Sequence, residues 1–175
     1  MAKAARECTN CGRPVTPERR NYPYAESGLS NVVLQGVEVA ECPACGHSEV
    51  TIPHLAKIHR AIALALARSP VRLTGAQLRF LRKHVGYSGE RLARYLHTDK
   101  TKISKWEREE DPIDTSNDRL VRLLVAALDK DLSSHVSSIA AQLPEISDES
   151  GKSRELHIDV ECLTVSFVSV LTRRA

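Results

Sequence analysis

Two identical Cys-x-x-Cys pairs, Cys8/Cys11 and Cys42/Cys45, constrain the chain more than any other feature. Each pair aims two sulfurs at one point, and four thiolates complete the closed tetrahedral shell that zinc accepts. Gly12 and Gly46 each follow a pair, where a residue without Cβ lets the chain curl and turn backbone N–H groups toward the sulfurs. A redox pair needs only one such spacing near a helix, and nothing else in the chain speaks for an iron–sulfur centre. The expectation is one structural zinc per chain on Cys8, Cys11, Cys42 and Cys45, with no position left open for a catalytic water. His54 and His59 then read as solvated or capping residues, not as further ligands.

Composition agrees with a metal-braced module. Aromatic residues make up 4% of the chain, too few for a large aromatic core, and a small domain with a thin core needs metal, a disulfide or a partner chain. The first residues hold no apolar stretch long enough for a signal peptide, and no window approaches a membrane span. A cytoplasmic chain with reduced cysteines is therefore expected. Net charge is only +3, yet residues 57–109 hold thirteen Lys and Arg against four Asp and Glu, a balance of +9. A local field of that size draws in a polyanion even when the whole chain is nearly neutral.

The pattern along the chain predicts a two-domain α+β protein: a small N-terminal zinc-binding module with a β-hairpin, then an all-α helix-turn-helix domain. Residues 32–34 and 37–39 are β-prone runs separated by Gln35-Gly36, the length of a two-residue hairpin loop, and the second run would deliver Cys42 to the metal. Tyr22 and Tyr24 flank Pro23 in a loop, with packing over the core or the following helix as their expected role. Residues 1–52 form this module. A connecting helix over 53–69 follows from Pro53 at its start, Leu55, Ile58, Ile62 and Leu66 at helical spacing, and Ser69-Pro70 at its end. Its apolar stripe needs a cover that the pattern alone does not choose.

Residues 70–130 carry the next helices. Thr74 and Gln77 have capping-box spacing. Leu78, Leu81 and Val85 form a buried side with Phe80 added, Arg79, Arg82 and Lys83 face outward, and Gly86 ends the helix. Ser88 caps the next helix, whose apolar positions are Leu92, Ala93 and Leu96. His97, Thr98 and Asp99 break the pattern, and Asp99 caps a further helix with Ile103 and Trp106 inside. Lys100, Thr101, Lys102 and Lys105 remain outside, where they donate to phosphates or base edges. Trp106 is expected to pack between Ile103 and Leu120, and Glu107 to bridge Arg108 or Lys105. The stretch from Thr115 to Asp118 supplies a cap before an apolar helix running to Leu128, one side of which is available to a second subunit.

The stretch LRFLRKHVGYSGERLARYLHTDKTKISKWEREEDP resembles the helix-turn-helix of the Cro and phage-repressor (Xre) family. Ile103, Ser104, Trp106 and Glu107 stand in its ISxWE signature, and Leu92-Ala93 in the LA step. Gly89 departs from the family's usual glutamine, which orients on phosphate. The resemblance implies that Lys100, Thr101 and Lys105 face bases. Lys102, Arg94 and the first-helix cations fall to phosphates, with Ser88 beside them. Ahead of it, Cys-x-x-Cys, Tyr24, SGLSNVVLQGV and CPACG resemble the YgiT-type zinc finger of the MqsA antitoxin family over about residues 5–52. That likeness implies a zinc module that binds a ribonuclease-type toxin, and a homodimeric helix-turn-helix domain that represses from a double-stranded DNA operator. The alternative is a regulator of the same build without a toxin. An enzyme is not expected, since no paired carboxylates, supported nucleophile or open metal position is evident.

The tail, 131–175, lies outside the resemblance. Ile139 and Leu143 allow a short helix up to Pro144. Leu156, Ile158, Val160 and Cys162 alternate as in a strand that pairs across a dimer, adds to a partner, or stays disordered. Cys162 reads as a partly buried free thiol.

Overall fold

The computed structural model of the protein describes residues 5–147 and 154–169. Strands β1 (Arg6–Glu7) and β2 (Pro14–Val15) pair antiparallel around the first cysteine pair. Strands β3 (Glu18–Pro23), β4 (Val32–Glu41) and β5 (Ser48–Thr51) follow, with β4 antiparallel to both neighbours and the β4–β5 hairpin closing around the second cysteine pair.

The expected hairpin at Gln35-Gly36 is absent: residues 32–41 are one strand. Arg20 pairs with Val37 and Tyr22 with Leu34, so Gln35 and Gly36 together oppose Asn21. This is a β-bulge with Gly36 in the left-handed region at φ 77°. The extra residue shifts the alternation by one, which puts Val32 and Leu34 on the same buried face as Val37 and Val39. A hairpin turn and this bulge make the same local demand for glycine at positive φ; the pairing partner decides between them.

Helix α1 (Leu55–Ala67) is a middle layer. Ile58, Ile62 and Leu66 are buried, and one apolar cluster runs from Leu34, Val37 and Val39 of the sheet through them to Leu78, Leu81, Leu92, Ile103 and Trp106. Both the sheet and the next helices therefore cover the stripe. His59, expected to be solvated or a cap, is neither: its Nε2 lies 2.8 Å from the hydroxyl of buried Tyr24, and its ring meets Phe80 edge-on at 5.7 Å. Burial, with the nearby His84 charge, lowers the His59 pKa.

The helical part comprises α2 (Gly75–His84), α3 (Gly89–Tyr95), α4 (Lys100–Glu107), α5 (Thr115–Leu128) and α6 (Val136–Gln142). Thr74 and Gln77 form a reciprocal capping box, and Gly86 ends α2 in the left-handed conformation with Tyr87 N–H on Arg82 C=O. The cap of α5 is Asp114, not a residue of 115–118. Trp106 is buried, whereas Leu120 is exposed on the far side of α5. At Gly75 the start of α2 meets the end of α4 so closely that an added Cβ would sit 2.4 Å from Trp106 O.

Asp118 and Arg122, one turn apart on α5, are both fully buried and ion-paired. Arg122 also donates to the carbonyls of Leu66, Ser69 and Val71, while Asp118 accepts from Leu73 N–H at 2.6 Å. One side-chain pair thus satisfies the end of α1 and the segment leading to α2.

The tail folds back onto its own chain. Helix α6 packs Ile139 against Ala67 and Ala126, and strand β6 (Arg154–Asp159) returns to pair in parallel with β4, with Leu156 opposite Val32 and Ile158 opposite Leu34. Strand β7 (Val165–Ser169) adds antiparallel to β6, giving the order β3-β4-β6-β7. Cys162, expected to be partly buried, is exposed in the turn between them. Among the described residues no helix is long and apolar enough to cross a membrane.

Candidate metal centre and nucleic-acid interface

The two cysteine pairs build the same small turn twice. Cys8 N–H bonds Arg13 C=O and Gly12 N–H bonds Cys8 C=O, at 2.8 and 2.9 Å. Cys42 with His47, and Gly46 with Cys42, repeat both bonds at the same distances. Gly12 and Gly46 take φ 72° and 69°. Cys8 and Cys42 are buried with Val15 and Ala40 beneath them, whereas Cys11 and Cys45 are exposed.

The sulfurs fit one ion. Cys8 and Cys45 Sγ lie 3.7 Å apart, Cys11 and Cys42 Sγ 3.6 Å apart, and all four fall within 4.8 Å of one another. A tetrahedron with Zn–S of ~2.3 Å requires S···S of about 3.8 Å. Four soft thiolates with no oxygen ligand suit a single structural Zn2+ per chain, and the closed shell leaves no place for a substrate or an activated water. When bound, zinc supplies a cross-link between the two turns and no reaction.

Surrounding groups shift two of the thiols in opposite directions. The His47 N–H, and after it the Asn10 side chain, bring the Cys45 thiol down to about 6. At Cys11 the Arg13 N–H pulls the same way, but protons shared with Cys45 and Cys42, together with burial, push it up to about 12. A polar latch spans the two turns. The Thr9 hydroxyl donates to Glu49, Thr9 N–H lies 3.3 Å from the same carboxylate, His47 Nε2 is 3.3 Å from Thr9 Oγ1, and Arg6 is 3.4 Å from Glu49. The Thr9 hydroxyl, more than the charge of Arg6, lowers the Glu49 pKa. Cysteine spacing alone carried no signal for this latch.

On the helical side, α3 and α4 pack together across a turn in which His97 takes φ 48°. Thr98 N–H bonds Ala93 C=O, closing α3 as a left-handed cap normally does, with histidine where glycine is favoured. Asp99 accepts from Lys102 N–H at 2.8 Å, a bond that also lowers its pKa. Lys100, Thr101 and Lys105 are all exposed on α4, and Ile103 and Trp106 are turned inward. Lys102 is exposed too, but its ammonium lies 5.6 Å from the Trp106 ring centroid, to the flank of the row. Arg94 is exposed on α3, 3.6 Å from Glu90. Ser88 is exposed at the start of α3 and accepts from Arg91 N–H at 3.1 Å.

Two expectations about charge change. Glu107 reaches neither Arg108 nor Lys105. It is held by Arg82 at 2.6 and 3.0 Å and by Arg79 at 3.3 Å. Arg82, also on Tyr87 C=O at 2.7 Å, is therefore a strut between α2 and α4, not an outward phosphate ligand. Arg108 is taken by Glu110 and Ser104. Sequence reasoning passed over Arg91, whose guanidinium lies 4.2 Å from the Tyr87 ring centroid; Tyr87 in turn stacks on Tyr95 at 5.2 Å. The spacing of Tyr87, Arg91 and Tyr95, each four apart on α3 and the residue before its cap, was the available signal. At Gly89 an added Cβ would meet only Ile103 and Lys100 side-chain atoms at 3.9 and 4.0 Å, so no steric demand explains the glycine.

The arrangement is a sheet bearing a four-cysteine zinc site, joined through one core to a helical bundle. Comparison with protein-family models, with curated proteins and with solved structures found no match to this chain.

Proposed function

We propose that the protein is a sequence-specific DNA-binding repressor that also serves as the antitoxin of a type II toxin–antitoxin pair. The observation that carries DNA binding is α4: an eight-residue helix, capped at its start by Asp99, with exposed Lys100, Thr101 and Lys105 outward and Ile103 and Trp106 anchoring its back. A helix held in this way fits the major groove, where lysine donates to guanine O6 and N7 and a threonine methyl meets thymine. Arg94, Lys102 and Ser88 flank the row and suit backbone phosphates. Titration against the gene's own promoter at two salt concentrations tests this. Specific binding that weakens steeply with salt is expected; no specific binding, or binding indifferent to salt, refutes it.

The antitoxin half rests on the resemblance of the cysteine module and on the order of the two modules. Its test is co-purification with the product of the adjacent gene, whose ribonuclease activity the protein should quench. The second reading, a regulator without a toxin, is favoured by one feature of the fold. The sheet behind the zinc site is completed by the chain's own tail and shares its core with the helices, so bracing alone accounts for the module.

A further inference from the structure

Among the described residues, the end strands β3 and β7 of the main sheet are treated differently. Along β3, Glu18, Arg19 and Arg20 are all exposed and charged, with Arg19 paired to Glu38 and Glu161 and Arg20 to Glu41. Charges of this kind keep an edge strand from pairing with another chain. On the other edge, β7 shows Val165 at 36%, Phe167 at 44% and Val168 at 41% exposure, and residues 165–168 include no charge and no proline.

Register shows which face these residues extend. Phe167 pairs with Leu156 and Val165 with Ile158, and directly opposed residues share a face. Leu156 and Ile158 are buried in the cluster that α1 covers. Val165 and Phe167 therefore continue that apolar face on the outermost strand, where α1 comes close but leaves both side chains exposed.

We propose that the outer edge of β7 pairs antiparallel with β7 of a second copy, joining two sheets into one across a twofold axis. An axis relating antiparallel neighbours stands perpendicular to the sheet, so both α1 helices fall on the same side. In a register centred on Phe167, the two Phe167 side chains are opposite each other there, with Val165 of each copy beside them. The apolar strip left open by one chain is closed by the identical strip of its mate. A neutral strand meets its own copy without like-charge repulsion, which the charged β3 edge would not. This pairing does not depend on DNA binding.

Sedimentation equilibrium of the zinc-loaded full chain should show a monomer–dimer equilibrium. Phe167→Lys, which places two ammonium groups opposite each other, should raise the dissociation constant at least about tenfold while leaving the far-UV spectrum unchanged. Backbone amide exchange provides a reading with no variant: the outward-facing amides of Val165 and Phe167 should be protected at high concentration and lose protection on dilution, while those of Ser166 and Val168, turned toward β6, should not change. A wild-type chain that stays monomeric, a Phe167→Lys chain that dimerises as the wild type does, or exchange at Val165 and Phe167 that ignores concentration each overturns the proposal. Protection that appears only with a different co-expressed protein assigns the edge to a foreign strand and overturns it equally.

Discussion

Replacing Arg122 with methionine keeps most of the side-chain volume and removes the charge. Asp118, fully buried beside it, would keep the Leu73 N–H but lose its paired charge, and the carbonyls of Leu66, Ser69 and Val71 would lose a donor. Breaking a buried pair from one side costs about 3–5 kcal/mol, because an uncompensated charge is left behind. A stripped buried carbonyl adds ~1–3 kcal/mol, though neighbouring losses do not sum. Against a total stability of about 5–15 kcal/mol, the single change removes a large share. With a urea slope of ~1–3 kcal/mol/M the midpoint should fall by at least about 1 M. Urea unfolding of the zinc-loaded chain, followed by the fluorescence of its single tryptophan, the buried Trp106, measures this. Asp118→Leu combined with Arg122→Met leaves no orphaned charge, so the double variant should be more stable than the two single losses added together. A loss below about 1 kcal/mol for Arg122→Met, or strict additivity in the double variant, would refute the claim that the pair clamps the α1–α2 junction.

Cys45→Ser should lower bound zinc well below one ion per chain and expose the β1–β2 and β4–β5 turns to protease, while Cys162→Ser, altering an exposed turn, should change neither; metal analysis and limited proteolysis read both. His59 has a folded pKa below its ordinary value of 6.5, so its contribution to stability is complete above that pH and is lost as pH falls toward the depressed value. The difference in unfolding midpoint between wild type and His59→Gln should therefore shrink below pH 6.5, and a difference indifferent to pH would contradict the sign. Gly75→Ala should destabilise by about 1–3 kcal/mol through the clash with Trp106 O, measurable by thermal unfolding. Lys100→Ala with Lys105→Ala should erase the preference for the operator over random DNA, at about 1–3 kcal/mol per lost base contact, and an unchanged preference would reject the base-reading role.

Chemistry confined to a few neighbouring residues was legible in the sequence. The zinc site follows from two spacings and the glycines after them, because a Cys-x-x-Cys-Gly turn makes its own hydrogen bonds wherever it occurs. Thr74, Gln77, Ser88, Asp99 and Gly86 announce helix ends for the same reason: each bonds or bends backbone within three residues of itself.

What depended on distant partners was not legible. Gln35-Gly36 satisfies a hairpin or a bulge equally, and only the presence of β3 alongside made it a bulge. Asp118 was legible only as part of a helix cap, and nothing in its spacing from Arg122, one turn on, distinguishes a surface pair from one the fold buries. Glu107 found Arg82, 25 residues away, before either adjacent cation. The parallel pairing of β6 with β4 joins residues more than a hundred positions apart, and a strand's alternation records that it has a buried face, not which strand lies beside it. Backbone pairing is blind to side-chain identity, so the sequence by itself determined the metal turns and helix boundaries. The tertiary structure alone decided that the tail completes the zinc-side sheet and that one core joins it to the helices.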